Sequence, residues 1–224
     1  MNLRSHEIQA VLFDLDGTLL DSAPDLGFAA NQLRIRRNLE ALPMSVYRPF
    51  VGTGARGMLR IALGIAPEDE RFEDAKEEFF QAYEACMGKH SQLFSGVEQL
   101  LAALGAHKIL WGIVTNKSER FTLPIVAAIA QFSAAQALVC GDTTAHSKPH
   151  PLPLQEAAKR LGVPVVQCIY VGDDERDMQA AHAAGMKSIA AAYGYLGGVD
   201  SVAAWNPHAI INLPFELTNL LGLN

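Results

Sequence analysis

The sequence predicts an α/β protein, a doubly wound parallel sheet whose first strand is followed by a helical insert. Three observations carry this. Short apolar runs recur along the chain and end in small or acidic residues. Most are apolar at consecutive positions, as strands covered on both faces are. From about residue 93 onward these runs alternate with helix-length segments, the rhythm of a parallel sheet.

In chain order, the first strand is expected at Gln9–Phe13. Residues 21–92 then break the rhythm, with no expected strand. Pro24, Pro43 and Pro67 divide this insert into three or four helical pieces. Its clearest helix is Asp69–Cys86, where Phe72, Ala75, Phe79, Ala82 and Tyr83 recur at spacings of three and four. Further strands are expected at Ile109–Val114, Ala137–Cys140, Gln167–Val171, Ser188–Ala192 and Ala209–Ile211. Helices are expected at Gly96–Leu104, Ser118–Ala130, Pro151–Leu161 and Glu175–Ala184. The core is therefore assigned to residues 1–20 and 93–224, and the insert to residues 21–92.

A chain of 224 residues, 50% of them hydrophobic, can bury a real core. The net charge is −6 and no Lys/Arg run is present, which argues against a nucleic-acid partner. No apolar stretch reaches the roughly 18 residues of a membrane helix. Met1 to Gln9 carries Arg4, His6 and Glu7 and has no signal-peptide core. Cys86, Cys140 and Cys168 lie far apart without metal-ligand spacing, so buried free thiols are expected. The expectation is a soluble cytoplasmic protein, monomer or homodimer.

In open α/β sheets, ligands bind beyond the carboxyl ends of the strands. Four polar clusters fall at such ends: Asp14 and Asp16; Thr115-Asn116-Lys117; Ser147-Lys148-Pro149; and Gly172-Asp173-Asp174. Their residue types suit phosphoryl transfer from a monoester. Asp14 and Asp173 offer the hard oxygens that Mg²⁺ prefers. One carboxylate can attack phosphorus, and Asp16 can protonate the leaving oxygen and then activate water. Gly17 lets the backbone turn so that amides face a phosphate. The Thr115 hydroxyl and the Lys148 ammonium can hold the transferring oxygens.

The segment Asp14-Leu15-Asp16-Gly17-Thr18-Leu19 resembles the first motif of the haloacid dehalogenase superfamily in its phosphatase form. Thr115 resembles the second motif, Lys148 the third, and Gly172-Asp173-Asp174-Glu175-Arg176-Asp177 the fourth, in matching order and spacing. The resemblance covers essentially the whole chain. It implies a Rossmann-like core, Asp14 as nucleophile, Asp16 as acid/base, and Thr115 and Lys148 as phosphate binders. Mg²⁺ would be held by Asp14, the Asp16 backbone carbonyl and Asp173, while Asp177 orients Lys148 or meets the metal through water. The insert resembles the helical cap of many members. Leu15, Asn116 and Arg56 are taken as substrate-binding positions, the partner being a small phosphorylated metabolite. Arg56 lies in Gly52-Thr53-Gly54-Ala55-Arg56-Gly57, read as a loop facing the site, and its planar fork suits an anionic group.

Leu19-Leu20-Asp21-Ser22-Ala23-Pro24-Asp25 and Tyr170-Val171-Gly172-Asp173 are similar to phosphoglycolate phosphatases. Leu110–Lys117, His146-Ser147-Lys148-Pro149 and Tyr193-Gly194-Tyr195 are also similar to a bacterial branch. Some members of that branch act on N-acetylmuramic acid 6-phosphate. The fourth motif departs from the commoner pattern, since Asp174 stands where a Ser often follows Gly-Asp, which leaves open whether Asp174 approaches the metal or faces away.

Each position also has a plainer reading. Asp16-Gly17 can be a turn. Thr115 can cap a helix, though Ser118 fits that role better. Lys148 can be a solvated lysine, and for Lys117 that reading is preferred. Asp173 and Asp174 can cap the helix near Glu175, the preferred reading for Asp174. Asp177 can be a first-turn carboxylate, Arg56 a surface residue and His146 part of a loop. Tyr193 and Tyr195 can shape the entrance or pack in the core. Competing functions are a sugar phosphomutase and a non-catalytic phosphate-binding module. A dehalogenase or phosphonatase fits less well, since no cap lysine stands out.

Overall fold

A computed structural model of the protein describes residues 8–199 and 201–223. Arg4, His6 and Glu7, used above to reject a signal peptide, lie outside the described residues. The strands are β1 (Ala10–Phe13), β2 (Leu20–Asp21), β3 (Gln92–Leu93), β4 (Leu110–Val114), β5 (Ala137–Val139), β6 (Cys168–Gly172), β7 (Lys187–Ala191) and β8 (Ala209–Ile211). The helices are α1 (Ala23–Arg36), α2 (Met44–Tyr47), α3 (Gly54–Leu63), α4 (Phe72–Glu84), α5 (Val97–Ala106), α6 (Glu119–Ala128), α7 (Leu152–Leu161), α8 (Glu175–Ala184) and α9 (Glu216–Leu221).

Six strands form one parallel sheet in the order β5-β4-β1-β6-β7-β8. Double-sided burial explains the consecutive apolar runs. Along β1, Val11 and Phe13 enter one apolar cluster while Ala10 and Leu12 enter the other. α7 packs against β4 and β5, and α8 against β6 and β7. The strand order reverses at β1, between β4 and β6, which is the switch point where α/β sheets open a crevice. Phe13 is in register with Ile113 and Val171, so the three strands end nearly level. That brings three of the four polar clusters to one edge.

The insert leaves and returns through a two-stranded antiparallel ribbon, Leu20 opposite Leu93 and Asp21 opposite Gln92. Strands of two residues carry no readable pattern and were not expected. α1 to α4 lie between them, and α4 buries the expected face of Phe72, Ala75, Phe79, Ala82 and Tyr83. α1 has no side-chain cap of its own; the Tyr195 hydroxyl accepts from the amides of Ser22 (2.8 Å) and Ala23 (3.0 Å) in that role. Asp25 is fully buried and fastens the end of the insert to its beginning. Its carboxylate accepts from the amides of Gly88 (2.8 Å), His90 (2.9 Å) and Ser91 (3.2 Å), and from the Ser91 hydroxyl. All three cysteines are buried and free. Among the described residues, no helix is long and apolar enough to cross a membrane.

Candidate active site

The loop after β1 winds around one carbonyl. The amides of Thr18, Leu19 and Leu20 all donate to Leu15 O, at 3.4, 3.0 and 2.9 Å. Gly17 makes the turn possible with φ +87°. Asp14 continues the ladder, its amide donating to Val171 O at 2.9 Å. Its Oδ1 accepts from the Leu15 amide at 2.7 Å and meets Lys148 Nζ at 3.0 Å. Leu15 itself is fully buried and does not line the cavity, so only its backbone serves the site.

Lys148 is the most constrained cation here. Its ammonium lies 3.0 Å from Asp14 Oδ1, 2.8 Å from Asp177 Oδ1, 3.0 Å from Val114 O and 2.7 Å from Tyr170 Oη. Burial works against its charge, but Asp14 and Asp177 outweigh that and raise its pKa. Asn116 holds its backbone from both sides: Oδ1 accepts from the Lys148 amide and Nδ2 donates to its carbonyl, both at 2.9 Å. The amide group expected to bind substrate is thus engaged in placing Lys148.

Asp173 follows β6. Its Oδ2 accepts from the Tyr195 amide at 2.7 Å and its Oδ1 from Thr18 Oγ1 at 3.3 Å. Asp14, Asp173 and Asp177 each place a carboxylate oxygen within 4.8 Å of the others. Burial is the main cause that pushes Asp14 up to about 7, with Lys148 opposing it and Asp177 and Asp16 adding to it by repulsion. Burial, then repulsion from Asp14 and Asp177, pushes Asp173 well above its ordinary value. A divalent cation relieves that repulsion, and a donor set of hard oxygens alone fits Mg²⁺.

Asp174 takes the helix-capping role. It accepts from the Arg176 amide at 2.9 Å while Asp177 accepts from the Asp174 amide at 3.0 Å, a capping box on α8. It also binds the Arg176 guanidinium at 2.7 and 2.8 Å. Burial opposes its charge, yet Arg176 holds its carboxyl below the usual range. Arg176 reaches on to Gly52 O in the insert at 2.6 Å. Asp177 is buried on Lys148, so it is no exposed first-turn carboxylate.

Asp16 faces the same cavity. Lys117 Nζ donates to its Oδ1 at 2.9 Å, and so does the Ser22 hydroxyl. The preferred reading of Lys117 as solvated is overturned: its side chain is 9% exposed. The reason lies in the insert, where Tyr83 Oη accepts from the same ammonium at 2.9 Å. Thr115 is buried, its Oγ1 accepting from the Lys117 amide at 3.2 Å. Ser118 holds the N-cap position of α6, without a side-chain bond to that helix's amides.

These groups floor a cavity of about 510 Å³. The insert roofs it with Leu26, Val51 to Arg56, Phe79, Phe80 and Tyr83. Arg56 lies in the first turn of α3, since the helix starts at Gly54 inside the stretch read as a loop. It is exposed and pairs with no carboxylate among the described residues. Arg120 of α6 straps core to insert, binding Glu77 at 2.9 and 3.0 Å and Glu84 at 2.6 and 2.9 Å. Tyr193 and Tyr195 stand behind Asp173 and do not line the cavity. His146 is exposed beside His150. Sequence reasoning missed Tyr170, Tyr83 and the structural use of Arg176. For Tyr170, one hydroxyl within a wholly apolar strand was the available signal.

Carboxylates crowded at cation-binding distances, with a fixed ammonium among them, suit a phosphoryl group, whose transfer depends on positioning and charge neutralisation. The class is that of a phosphoric monoester hydrolase. The sequence profile described as Haloacid dehalogenase-like hydrolase matches residues 11–191. A phosphoglycolate phosphatase of Xanthomonas campestris pv. campestris (strain 8004) is 46% identical over 209 residues, 93% of this chain and 94% of its own. An N-acetylmuramic acid 6-phosphate phosphatase of Pseudomonas putida (strain KT2440) is 36% identical over 214 residues, 96% of each chain. A crystal structure from Haemophilus somnus 129PT, described as a predicted phosphoglycolate phosphatase, superposes with a TM-score of 0.84 at 27% identity, covering 96% of this chain and 98% of that one. The chain belongs to the haloacid dehalogenase-like hydrolases.

Proposed function

We propose that the protein hydrolyses a small anionic phosphate monoester in two steps, with Asp14 as nucleophile and Mg²⁺ as cofactor. The observation that supports this most is the setting of Asp14. It stands one residue past the central strand, with Oδ1 engaged by Lys148 and the Leu15 amide. Oδ2 is then the attacking oxygen. It forms a bond to phosphorus as the ester P–O bond breaks, and Asp16 gives its proton to the departing alkoxide. Asp16 next takes a proton from water, which attacks the aspartyl-phosphate, releases inorganic phosphate and restores Asp14. Lys148 and Thr115 neutralise and orient the equatorial oxygens. Asp14, the Asp16 carbonyl and Asp173 would hold Mg²⁺, with Asp177 beside them, and the ion would supply further charge neutralisation. The helical insert, residues 21–92, serves as a cap that excludes water, and Arg56 meets a second anionic group on the substrate.

Two relatives carry names for different substrates, phosphoglycolate and N-acetylmuramic acid 6-phosphate. The cavity favours the bulkier leaving group. Its volume of about 510 Å³ and its wall of Leu26, Phe79, Phe80 and Phe121 exceed what a two-carbon acid fills. The test measures kcat/KM for both substrates with Mg²⁺, on the wild type and on Asp14→Asn. We expect turnover of both, higher for the muramic acid ester, and loss of at least about 10³-fold in the variant. Near wild-type turnover by Asp14→Asn removes the nucleophile assignment.

A further inference from the structure

We propose that Lys117 positions the general acid Asp16, and that Tyr83 of the insert completes this arrangement. The inference rests on the reading of Asp16 as acid/base given above. Asp16 Oδ1 receives two donors, Lys117 Nζ at 2.9 Å and the Ser22 hydroxyl. One comes from the core after β4, the other from the start of the insert. With Oδ1 occupied by both, the proton travels on Oδ2 and the carboxyl plane is fixed. A proton donor works only when held within hydrogen-bond reach of the leaving oxygen.

The ammonium is itself held from the insert. Tyr83 Oη accepts from Lys117 at 2.9 Å, and Lys117 Nζ lies 4.9 Å from the Tyr83 ring centre. Tyr83 is 1% exposed. Its ring stacks on Phe79 with centroids 6.5 Å apart and meets Phe121 of α6 at 5.4 Å. Tyr83 therefore cannot leave Lys117 without the α4 face moving. Ser22 adds a second tie, because it immediately precedes α1. The acid is thus aligned when the insert is seated.

The consequence is specific to the leaving group. An alkoxide needs a proton as it departs, whereas p-nitrophenolate departs without one. Losing the alignment of Asp16 should slow alkyl esters and spare aryl esters. A merely structural lysine would slow both alike.

The test compares Lys117→Met, Lys117→Arg and Tyr83→Phe with wild type on N-acetylmuramic acid 6-phosphate and p-nitrophenyl phosphate, with Asp16→Asn as reference and thermal unfolding as a folding check. Lys117→Met should lose about 10²-fold in kcat/KM on the alkyl ester and under about 10-fold on the aryl ester. Lys117→Arg should recover part of the alkyl rate. Tyr83→Phe should show a smaller loss with the same alkyl preference, and it keeps the idea testable if Lys117→Met does not fold. Equal losses on both esters, or none, in variants that fold while Asp16→Asn remains selective, overturn the role of Lys117 alone. No selectivity in Asp16→Asn overturns the acid assignment and this proposal with it.

Discussion

Replacing Gly194 with alanine should cost about 100-fold in kcat/KM, through displacement of Asp173. A Cβ placed there meets Asp173 Cβ at 2.3 Å, Asp173 Oδ2 at 2.5 Å and Gly17 O at 2.5 Å. Ordinary carbon contacts need about 3.5–4.0 Å, so something must move by about 1 Å. The neighbour is not a free side-chain tip. Asp173 is 3% exposed and is gripped by the Tyr195 amide at 2.7 Å. Gly194 does not have positive φ, so the effect comes from space alone. Gly17 offers the complementary case. Its added Cβ falls 2.1 Å from Asp173 Oδ2, and its φ of +87° adds backbone strain. Gly17→Ala should therefore match the rate loss and lose further stability, of order 1 kcal/mol, seen as a lower Tm. The assay is kcat/KM across a Mg²⁺ titration together with thermal unfolding. Both variants should require more Mg²⁺ for half-maximal rate. A Gly194→Ala enzyme with wild-type kcat/KM and an unchanged Mg²⁺ requirement refutes the reasoning.

Two further outcomes concern stability. Asp25→Ala removes a buried carboxylate that accepts from three part-buried backbone amides; at about 1.5–3 kcal/mol for each bond to a charged group, less what water restores to the amides, we expect a loss of about 4 kcal/mol. For a chain of this length that lowers Tm by about 8–16 °C, and a shift below about 2 °C would contradict the anchoring role. The second concerns pH in the metal-free protein. Burial pushes Asp14 from 3.8 up to about 7, so the folded state holds that proton more tightly than the unfolded chain. The stabilisation is full below 3.8 and is lost as pH rises through about 7. Between about pH 8 and pH 5, wild type should therefore gain Tm relative to Asp14→Asn, and Mg²⁺ should stabilise it more at the alkaline end. A constant difference between the two proteins over that range would count against the assignment.

Much of the core was legible because parallel strands bury both faces. β1 has no polar side chain, and Glu175–Ala184 was found to the residue since an acidic cap precedes it and Gly185 follows it. The ribbon of β2 and β3 was not legible, because two residues have no period. The four polar clusters could be placed at strand ends, and Asp14, Asp16, Thr115, Lys148 and Asp173 do line one cavity. What charge patterning could not tell is which charge is buried. Lys117 and Asp25 are ordinary polar letters in the sequence. Their burial depends on Tyr83 and on the amides of Gly88 to Ser91, partners that only tertiary packing supplies. Asn116 shows the same limit in reverse, since an amide near a phosphate site can serve the chain that builds the site.

The level ends of β4, β1 and β6 have a consequence for how this molecule comes apart. β1 has a hydrogen-bonded neighbour on each side and helices over both faces, so its amides should exchange with solvent only in the global unfolding event. Asp14, the proposed nucleophile, follows that stretch directly and continues its ladder through the amide bond to Val171 O. The roof instead hangs partly on half-exposed straps such as Arg120 with Glu77 and Glu84, which open at far lower free energy. Partial opening thus uncovers Asp14 before it disorders it. A heated or nicked sample would lose discrimination among phosphate esters well before it lost the capacity to attack one.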